Sequence, residues 1–413
     1  MSGEAVYLAW GLEGYDVVEV DVDQGELLVC VEWPRDQWRC PVCGSRNVTS
    51  HERRTRLWRS APTGLMNVTI GMSVPRTLCG DCGKQRAHQP AFAVGQRRHT
   101  RAFEQYVSEL LRYVTISDVV SHLGISWETA AAIDQRRLEQ IPAPKLSSLR
   151  LLAIDEIYSG KRHGYLTVVM DLESGVVVHV GDGRGADAVA GFFQKLRKSG
   201  ANVEAVAMDM AGGYVKAVRE HLPQAAHVFD RFHVIKLMNE KLTQLRRDLY
   251  RAASEGLERD VLKGLRWLLL MGQETLDSPA RQARRKPGRP SDRELLEAAL
   301  ELNEPLATAY YLKEKLRLLW EQHDKEQATK FLDEWCRQAE SSGIKVLLTM
   351  AKTLRQHRTG LLAWYDYAIS TGPLEGTNNK IKLLQHRAYG YRNKDHFRLR
   401  ILTLHHTRVR LTG

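Results

Sequence analysis

The sequence predicts a multidomain α+β protein: a strand-rich, metal-ordered N-terminal module, a helix-turn-helix, and a core of order βββαβαβα interrupted by an all-helical segment. Three observations predict it. Two Cys-x-x-Cys pairs lie inside a basic segment, a helical repeat broken by one tight turn follows them, and beyond Pro144 the apolar period changes from helical to alternating. A chain of 413 residues is also too long for one small core.

The N-terminal module, residues 1–100, opens on Val17, Val18 and Val20, then Leu27, Leu28, Val29 and Val31, either side of Gln24-Gly25, a hairpin pattern. Between Gln37 and Arg101 there are twelve Lys or Arg and two acids, Glu52 and Asp81. Cys40/Cys43 and Cys79/Cys82 fall within this stretch, while Cys30 and Cys336 stand alone. Paired thiolates at this spacing suit tetrahedral zinc, so a zinc finger with four cysteine ligands is expected. Disulfides are not, because the start of the chain lacks a basic-then-apolar leader and a cytoplasmic location is expected. His51 and His88 are spare candidate ligands, read rather as exposed or DNA-facing. Arg53, Arg54 and Arg56 are candidate DNA contacts.

In residues 101–145, Phe103, Tyr106, Val107, Leu110 and Leu111 recur at helical spacing. Ile116–Leu123, the turn Gly124-Ile125-Ser126 and Trp127–Arg137 follow, with Ser126 able to cap the last helix. This reads as a helix-turn-helix, although ordinary helical hairpins share the spacing. Trp127 and Arg136, with Glu128, Thr129 and Gln135, are its candidate groove contacts.

Residues 146–238 read as strands Leu149–Ile157, Gly164–Asp171 and Val176–Val180, helix Ala186–Lys198, strand Val203–Met208, helix Gly213–His221, strand His227–Phe229 and a helix from Phe232. That order is the order of ribonuclease H-like folds. Residues 239–358 show helical periodicity alone, a helical insertion broken by the basic run Arg281–Ser291. There Arg289, in Pro287-Gly288-Arg289-Pro290, could hook a minor groove, with a solvated linker as the plainer reading. Residues 359–413 complete the core. From Gly376 onward they carry nine Lys or Arg against Asp395, and Lys380, Lys382, Arg387 and Arg392 are candidate backbone contacts.

The net charge of +11 favours a polyanionic partner, with nucleic acid foremost, since each phosphate contact releases counterions. No apolar run of 18 residues exists, so no membrane span is expected.

Three acids stand out. Asp155 sits mid-strand in Leu151-Leu-Ala-Ile-Asp-Glu-Ile157, where an unpaired carboxylate is costly to bury. Glu156 points to the opposite face, and alternation does not say which of the two faces a site. Asp209 ends a strand before Met210-Ala-Gly-Gly213, where α/β proteins present ligands. Glu375 lies in Gly372-Pro-Leu-Glu-Gly-Thr-Asn-Asn379 at a helix start, beside Asn378, Asn379 and Lys380, which could touch phosphate or orient the acid.

With the two cysteine pairs, Ala153-Ile-Asp-Glu-Ile157, Ala207-Met-Asp-Met210, Val228-Phe-Asp-Arg-Phe-His-Val234 and the Glu375 segment, the chain resembles insertion-sequence transposases of the ISL3 family over nearly its whole length. The resemblance selects Asp155 over Glu156. It implies a triad of Asp155, Asp209 and Glu375 holding Mg²⁺ or Mn²⁺, alongside structural zinc on Cys40, Cys43, Cys79 and Cys82. It further implies cleavage at transposon terminal repeats and strand transfer into target DNA, with a homodimer to join two ends. Asp230 and His233 match a supporting Asp-x-x-His pattern, although on spacing alone they read as a helix cap and a core histidine. Asn379 is a further supporting candidate. The competing readings are a non-catalytic DNA-binding regulator and a nuclease of the same fold without strand transfer.

Overall fold

The computed structural model describes residues 7–8, 10–210, 212–253, 257–276, 278–279 and 290–406. It divides into two compact units, residues 1–141 and 142–406.

The first unit is built on a five-stranded sheet. Strands β1 (Asp16–Asp23) and β2 (Glu26–Glu32) form the expected hairpin, and Gln24 and Gly25 both take positive φ (42° and 85°). Two positive φ values in a two-residue loop match the twist of the paired strands. A second and longer hairpin joins β3 (Val48–Thr63) to β4 (Met66–Cys79), with short β5 (Gln85–Ala87) on the outer part of β4. The basic composition of this stretch hides the hairpin: every second β4 residue from Val68 to Val74 is buried, while β3 alternates arginines with few apolar side chains. Trp58 fills the centre of the core with Leu27, Val29, Val31, Val68, Ile70 and Met72.

Three helices follow, α1 (Arg101–Leu110), α2 (Ile116–Leu123) and α3 (Trp127–Glu139). Each start is capped by a hydroxyl, on Thr100, Thr115 and Ser126, and the Thr115–Asp118 pair forms a reciprocal capping box. Gly124 ends α2 at φ 62°, and Phe103, Val107, Val119, Leu123, Ala130 and Ile133 close the small core.

The second unit contains a sheet of strand order β10-β9-β6-β7-β8. Strands β6 (Leu151–Tyr158), β7 (Tyr165–Asp171) and β8 (Val177–Asp182) form an antiparallel meander, while β9 (Ala205–Met208) and β10 (Ala226–Phe229) add in parallel to β6. Helices α4 (Ala186–Lys198), α5 (Gly212–His221) and α6 (Arg231–Ala252) complete the order βββαβαβα, with bounds within two residues of those expected. Along β6 the alternation splits the side chains. Leu152 and Ile154 join the core of α4 and α5, whereas Ala153 and Ile157 face a second cluster.

From α6 to Tyr365 every regular element among the described residues is helical: α7 (Leu257–Gly264), α8 (Asp292–Glu301), α9 (Glu304–Arg317), α10 (Lys325–Ser341), α11 (Lys345–Gln356) and shorter turns. Trp335 and Lys313 anchor this body. The indole donates to Leu312 O at 2.8 Å, and the buried ammonium donates to Leu269 O, Met271 O and Glu314. The chain then returns as α12 (Gly372–Arg387) and α13 (Lys394–Leu402). Leu374, Ile381, Phe397 and Ile401 cover the face of the sheet that carries Ala153, Ile157, Val168 and Ala207. No helix among the described residues is long and apolar enough to cross a membrane.

The short helix Arg358–Leu362 lies against β10 through Gly360, where an added Cβ would run into the Phe229 ring and fall 3.1 Å from His227 O. Gly360→Ala is therefore expected to destabilise the second unit by about 1–3 kcal/mol through overpacking. Denaturant unfolding checks this, and a midpoint equal to wild type would refute it.

Candidate catalytic and metal centres

In the first unit the two cysteine pairs form matching knuckles. Gly44 N and Gly83 N donate back to Cys40 O and Cys79 O, and Cys40 N and Cys79 N donate to Ser45 O and Lys84 O. Gly44 and Gly83 take φ 74° and 66°, values at which a side chain is strained. The four sulfurs lie within 4.8 Å of one another, with Cys40–Cys82 at 3.7 Å and Cys43–Cys79 at 3.6 Å. Those separations fit the edge of about 3.8 Å that a tetrahedron with Zn–S bonds of about 2.3 Å requires. Backbone N–H groups of Cys43 and Val42 lower the Cys40 pKa, while the neighbouring thiols raise that of Cys43, so the cluster sheds its first proton at Cys40. Asp81 accepts from Ser45 Oγ at 2.5 Å and Asn47 Nδ2 at 2.8 Å, tying one knuckle to the other.

His88 is neither a spare ligand nor the exposed, DNA-facing side chain expected. It stacks on Trp33 at 3.5 Å, hydrogen-bonds the Tyr15 hydroxyl, and burial pushes its pKa down to about 4. The His51 side chain lies outside what the structure describes.

In the second unit β6 and β9 pair in parallel at a constant offset of 54: Leu151 with Ala205, Leu152 with Val206, Ala153 with Ala207. Asp155 lies two residues beyond the last of these pairs on β6, and Asp209 directly follows the end of β9 at Met208. Asp155 Oδ1 accepts Glu156 N at 2.8 Å and Oδ2 accepts Asn378 Nδ2 at 2.7 Å. Burial raises the Asp155 pKa, and the charge of Glu156 adds to this. The Glu156 backbone N–H, His233 and Asn378 oppose it. Glu156 itself points to the other face, 3.4 Å from the Tyr214 hydroxyl of α5. Asp209 Oδ2 lies 3.6 Å from His233 Nδ1, and its charge also acts on His357.

Asp230 has two partners. Oδ1 caps α6 by accepting Phe232 N, and Oδ2 accepts Thr371 N, each at 2.7 Å, so one buried carboxylate pins the start of α12 to the start of α6. Glu375 occupies the exposed first turn of α12, one turn before Asn378 and therefore on the same side of the helix. Asn378 is 4% exposed and its Oδ1 has no hydrogen-bond partner, whereas Asn379 is exposed. The oxygens of Asp155, Asp209 and Glu375 do not draw together within 4.8 Å as the cysteine sulfurs do; among the described residues only the cysteines form such a group.

The candidate DNA contacts are differently engaged. Arg53 lies 3.9 Å from Glu32, Arg54 pairs with Glu52 at 2.8 Å, and Arg56 lies over the Trp58 ring. Trp127 is exposed at the start of α3, but Arg136 is held by Glu104 at 2.9 Å, an acid it shares with Arg97. Lys380, Lys382, Arg387 and Arg392 are exposed. Arg289 lies outside the described residues. Sequence reasoning missed the Thr371–Asp230 bond, which carries no local signal, and it named Asn378 only as one of three neighbours of Glu375.

A transposase family model of the ISL3 type matches residues 152–401, well over half of the chain. The chain belongs to the ISL3 transposase family. Residues 36–82 match the zinc-finger of transposase IS204/IS1001/IS1096/IS1165, and residues 89–138 the helix-turn-helix domain of transposase family ISL3. The transposase for insertion sequence element IS1001 of Bordetella parapertussis is 33% identical over 92% of this chain and 95% of that one. The transposase for IS1557 of Mycobacterium tuberculosis is 29% identical over 97% and 94%. A Drosophila P element transposase, in a strand transfer complex, aligns with 77% of this chain and 94% of that one at a TM-score of 0.36 and 13% identity. This DNA transposase thus combines a structural zinc site, a DNA-binding helix-turn-helix and a mixed-sheet domain of the family's catalytic type.

One zinc per chain is expected by elemental analysis, falling to near zero in Cys79→Ser, with altered fluorescence from the stacked pair Trp33 and Trp38, which precede Cys40 in the chain. Full native fluorescence and stability after chelation would refute a structural role for the metal.

Proposed function

We propose that this transposase cuts a phosphodiester at each transposon end and joins the freed 3′ hydroxyl to target DNA at one centre, where Asp155, Asp209 and Glu375 hold Mg²⁺ or Mn²⁺. The observation that carries this reading is the Asn378–Asp155 hydrogen bond, which fastens to the sheet the helix whose first turn bears Glu375. The oxygen-only donor set, with the partnerless Asn378 Oδ1 beside it, suits a hard divalent cation. Bound ions supply Lewis-acid polarisation of the attacking oxygen and neutralise charge on the leaving 3′ oxygen.

The protein's own side chains prepare that site. Asn378 fixes the carboxylate plane of Asp155, His233 steadies Asp209, and Asp230 sets the start of α12 so that Glu375 approaches from its first turn. Lys380, Lys382, Arg387 and Arg392 contact the phosphate backbone, as do Arg53, Arg54 and Arg56 of the zinc module. In this reading residues 146–238 and 359–413 form a ribonuclease H-like core around a helical insertion, 239–358, supported by the antiparallel meander extended by two parallel strands. Two ends must be joined in one event, so the working species is a homodimer, acting in the cytoplasm.

Asp155→Asn, Asp209→Asn and Glu375→Gln are each expected to lower Mg²⁺-dependent cleavage and strand transfer by roughly 10³-fold or more while leaving binding to the terminal repeats intact. Gel assays on labelled ends measure both steps. A wild-type protein that binds but never cuts with Mg²⁺ or Mn²⁺ would leave the regulator reading in its place.

Asn378→Ala is expected to cost roughly 10- to 100-fold in rate, as loss of a ligand-orienting partner does. The sign of the pH effect follows from Asp155. Its folded pKa is raised, so in the metal-free protein its ionisation lowers stability as pH rises from the ordinary carboxylate value through the raised one. The ionised form that a cation needs is lost as pH falls through that same raised value. Asn378→Ala removes a bond that lowers this pKa, so the acid limb of the cleavage profile moves to higher pH. An acid limb that stays in place would count against the positioning role.

A further inference from the structure

Helix α12, which bears Glu375 and Asn378, ends in an unusual way. Gly390 N donates to Gln385 O at 2.9 Å and Tyr389 N to His386 O at 3.1 Å, the paired bonds of a Schellman cap. That cap needs a left-handed residue at the position Tyr389 occupies, and glycine is its usual tenant because a Cβ there crowds the backbone. Tyr389 takes φ 51° nonetheless. Among the described residues only Gln24 shares this property without being glycine, and Gln24 sits in a hairpin turn that calls for it. The comparable end of α2 uses Gly124.

The strain is not repaid by packing. Tyr389 is 100% exposed, while Tyr391, two residues on, stacks on Phe397 at 4.5 Å as core aromatics do. The flanking sequence is basic: from Gly376 to Asn393 the chain holds Lys380, Lys382, Arg387 and Arg392 and no acid, with Asp395 the next acid along. The end of α12 is also held in place, since Gln385 Nε2 donates to Ser159 O at 2.8 Å, one residue past β6, the strand of Asp155. A fully exposed ring at an anchored helix end, flanked by basic sequence and kept where glycine would be more stable, is suited to a flat, polyanion-borne partner.

We propose that Tyr389 stacks on a base displaced from the duplex stack near the site of cleavage. This rests on the transposase centre described above and adds a base-recognition element to it. Tyr389 lies fourteen residues (389 minus 375) beyond Glu375, about 21 Å at about 1.5 Å per residue. That span corresponds to roughly six base pairs at about 3.4 Å each along a strand.

The test uses the full-length, zinc-loaded protein and terminal-repeat duplexes with a single 2-aminopurine placed between roughly four and eight base pairs either side of the scissile phosphate. Binding without divalent metal should raise fluorescence severalfold at one or two positions for wild type and Tyr389→Phe. Tyr389→Gly should lose most of that rise and cleave roughly 10- to 100-fold more slowly, yet bind zinc normally and melt no lower than wild type. An equal fluorescence rise in Tyr389→Gly overturns the inference, as does a lowered melting temperature that accounts for its slower cleavage. If wild type binds and cuts with no rise at any position, this inference alone falls. If it fails to bind the repeats in a gel shift, the functional reading falls with it.

Discussion

The second unit depends on one buried carboxylate accepting two backbone N–H groups that lie far apart in the chain. Asp230 is 4% exposed, and its partners belong to Phe232 and Thr371. Closing a loop of that length costs on the order of 4 kcal/mol in chain entropy beyond a constant. The helical body between the two ends offsets this by burying its own core around Trp335, Leu332 and Leu316. Without the carboxylate, the Thr371 N–H would be left buried and unsatisfied at the point where α12 must start, and the helix entry would lose its fixed origin. Glu375, Asn378 and the basic end of α12 all inherit their positions from that bond.

A second constraint is electrostatic. Asp155 is set among apolar neighbours on a central strand, where its charge is disfavoured, and the chain surrounds it with limited relief: one backbone N–H, one amide and an imidazole nearby. Complete neutralisation by a lysine or arginine would settle the charge and leave no affinity for a cation. The partial arrangement keeps the carboxylate costly in the free protein, as the proposed cation-binding role requires.

Much of this was legible in the sequence because period and punctuation agree. The strands of the second sheet are legible as short apolar runs bounded by turns, and Ser126 and Gly124 mark the turn before the third helix. The cysteine spacing announces its metal. What was not legible has physical causes. The β3–β4 hairpin is obscured because β3 spends its outward positions on arginine and buries few side chains. Which faces Asp155 and Glu156 take depends on the helices that cover the sheet: Asp155 meets Asn378 of α12, more than two hundred residues away in the chain, and Glu156 meets Tyr214 of α5. Arg136 reads as a groove contact by its place on the helix, yet Glu104 of the first helix holds it. The Asn378 contact needed the fold as well, since Asn378 and Asn379 differ in sequence by one position and in space by the choice of helix face.

The zinc knuckles have a consequence for the strands between them. Cys79 is the last residue of β4 and pairs with Val48, the first of β3, so the metal closes the open end of a hairpin whose other end is closed by the turn at Gly64 and Leu65. The two strands then form a ring that cannot slide. A shift of one residue would send Trp58 to the solvent and carry neighbouring arginines inward. Loss of the metal would therefore threaten the alignment of a whole basic surface, so the ion acts as a lock on which side of the sheet faces outward.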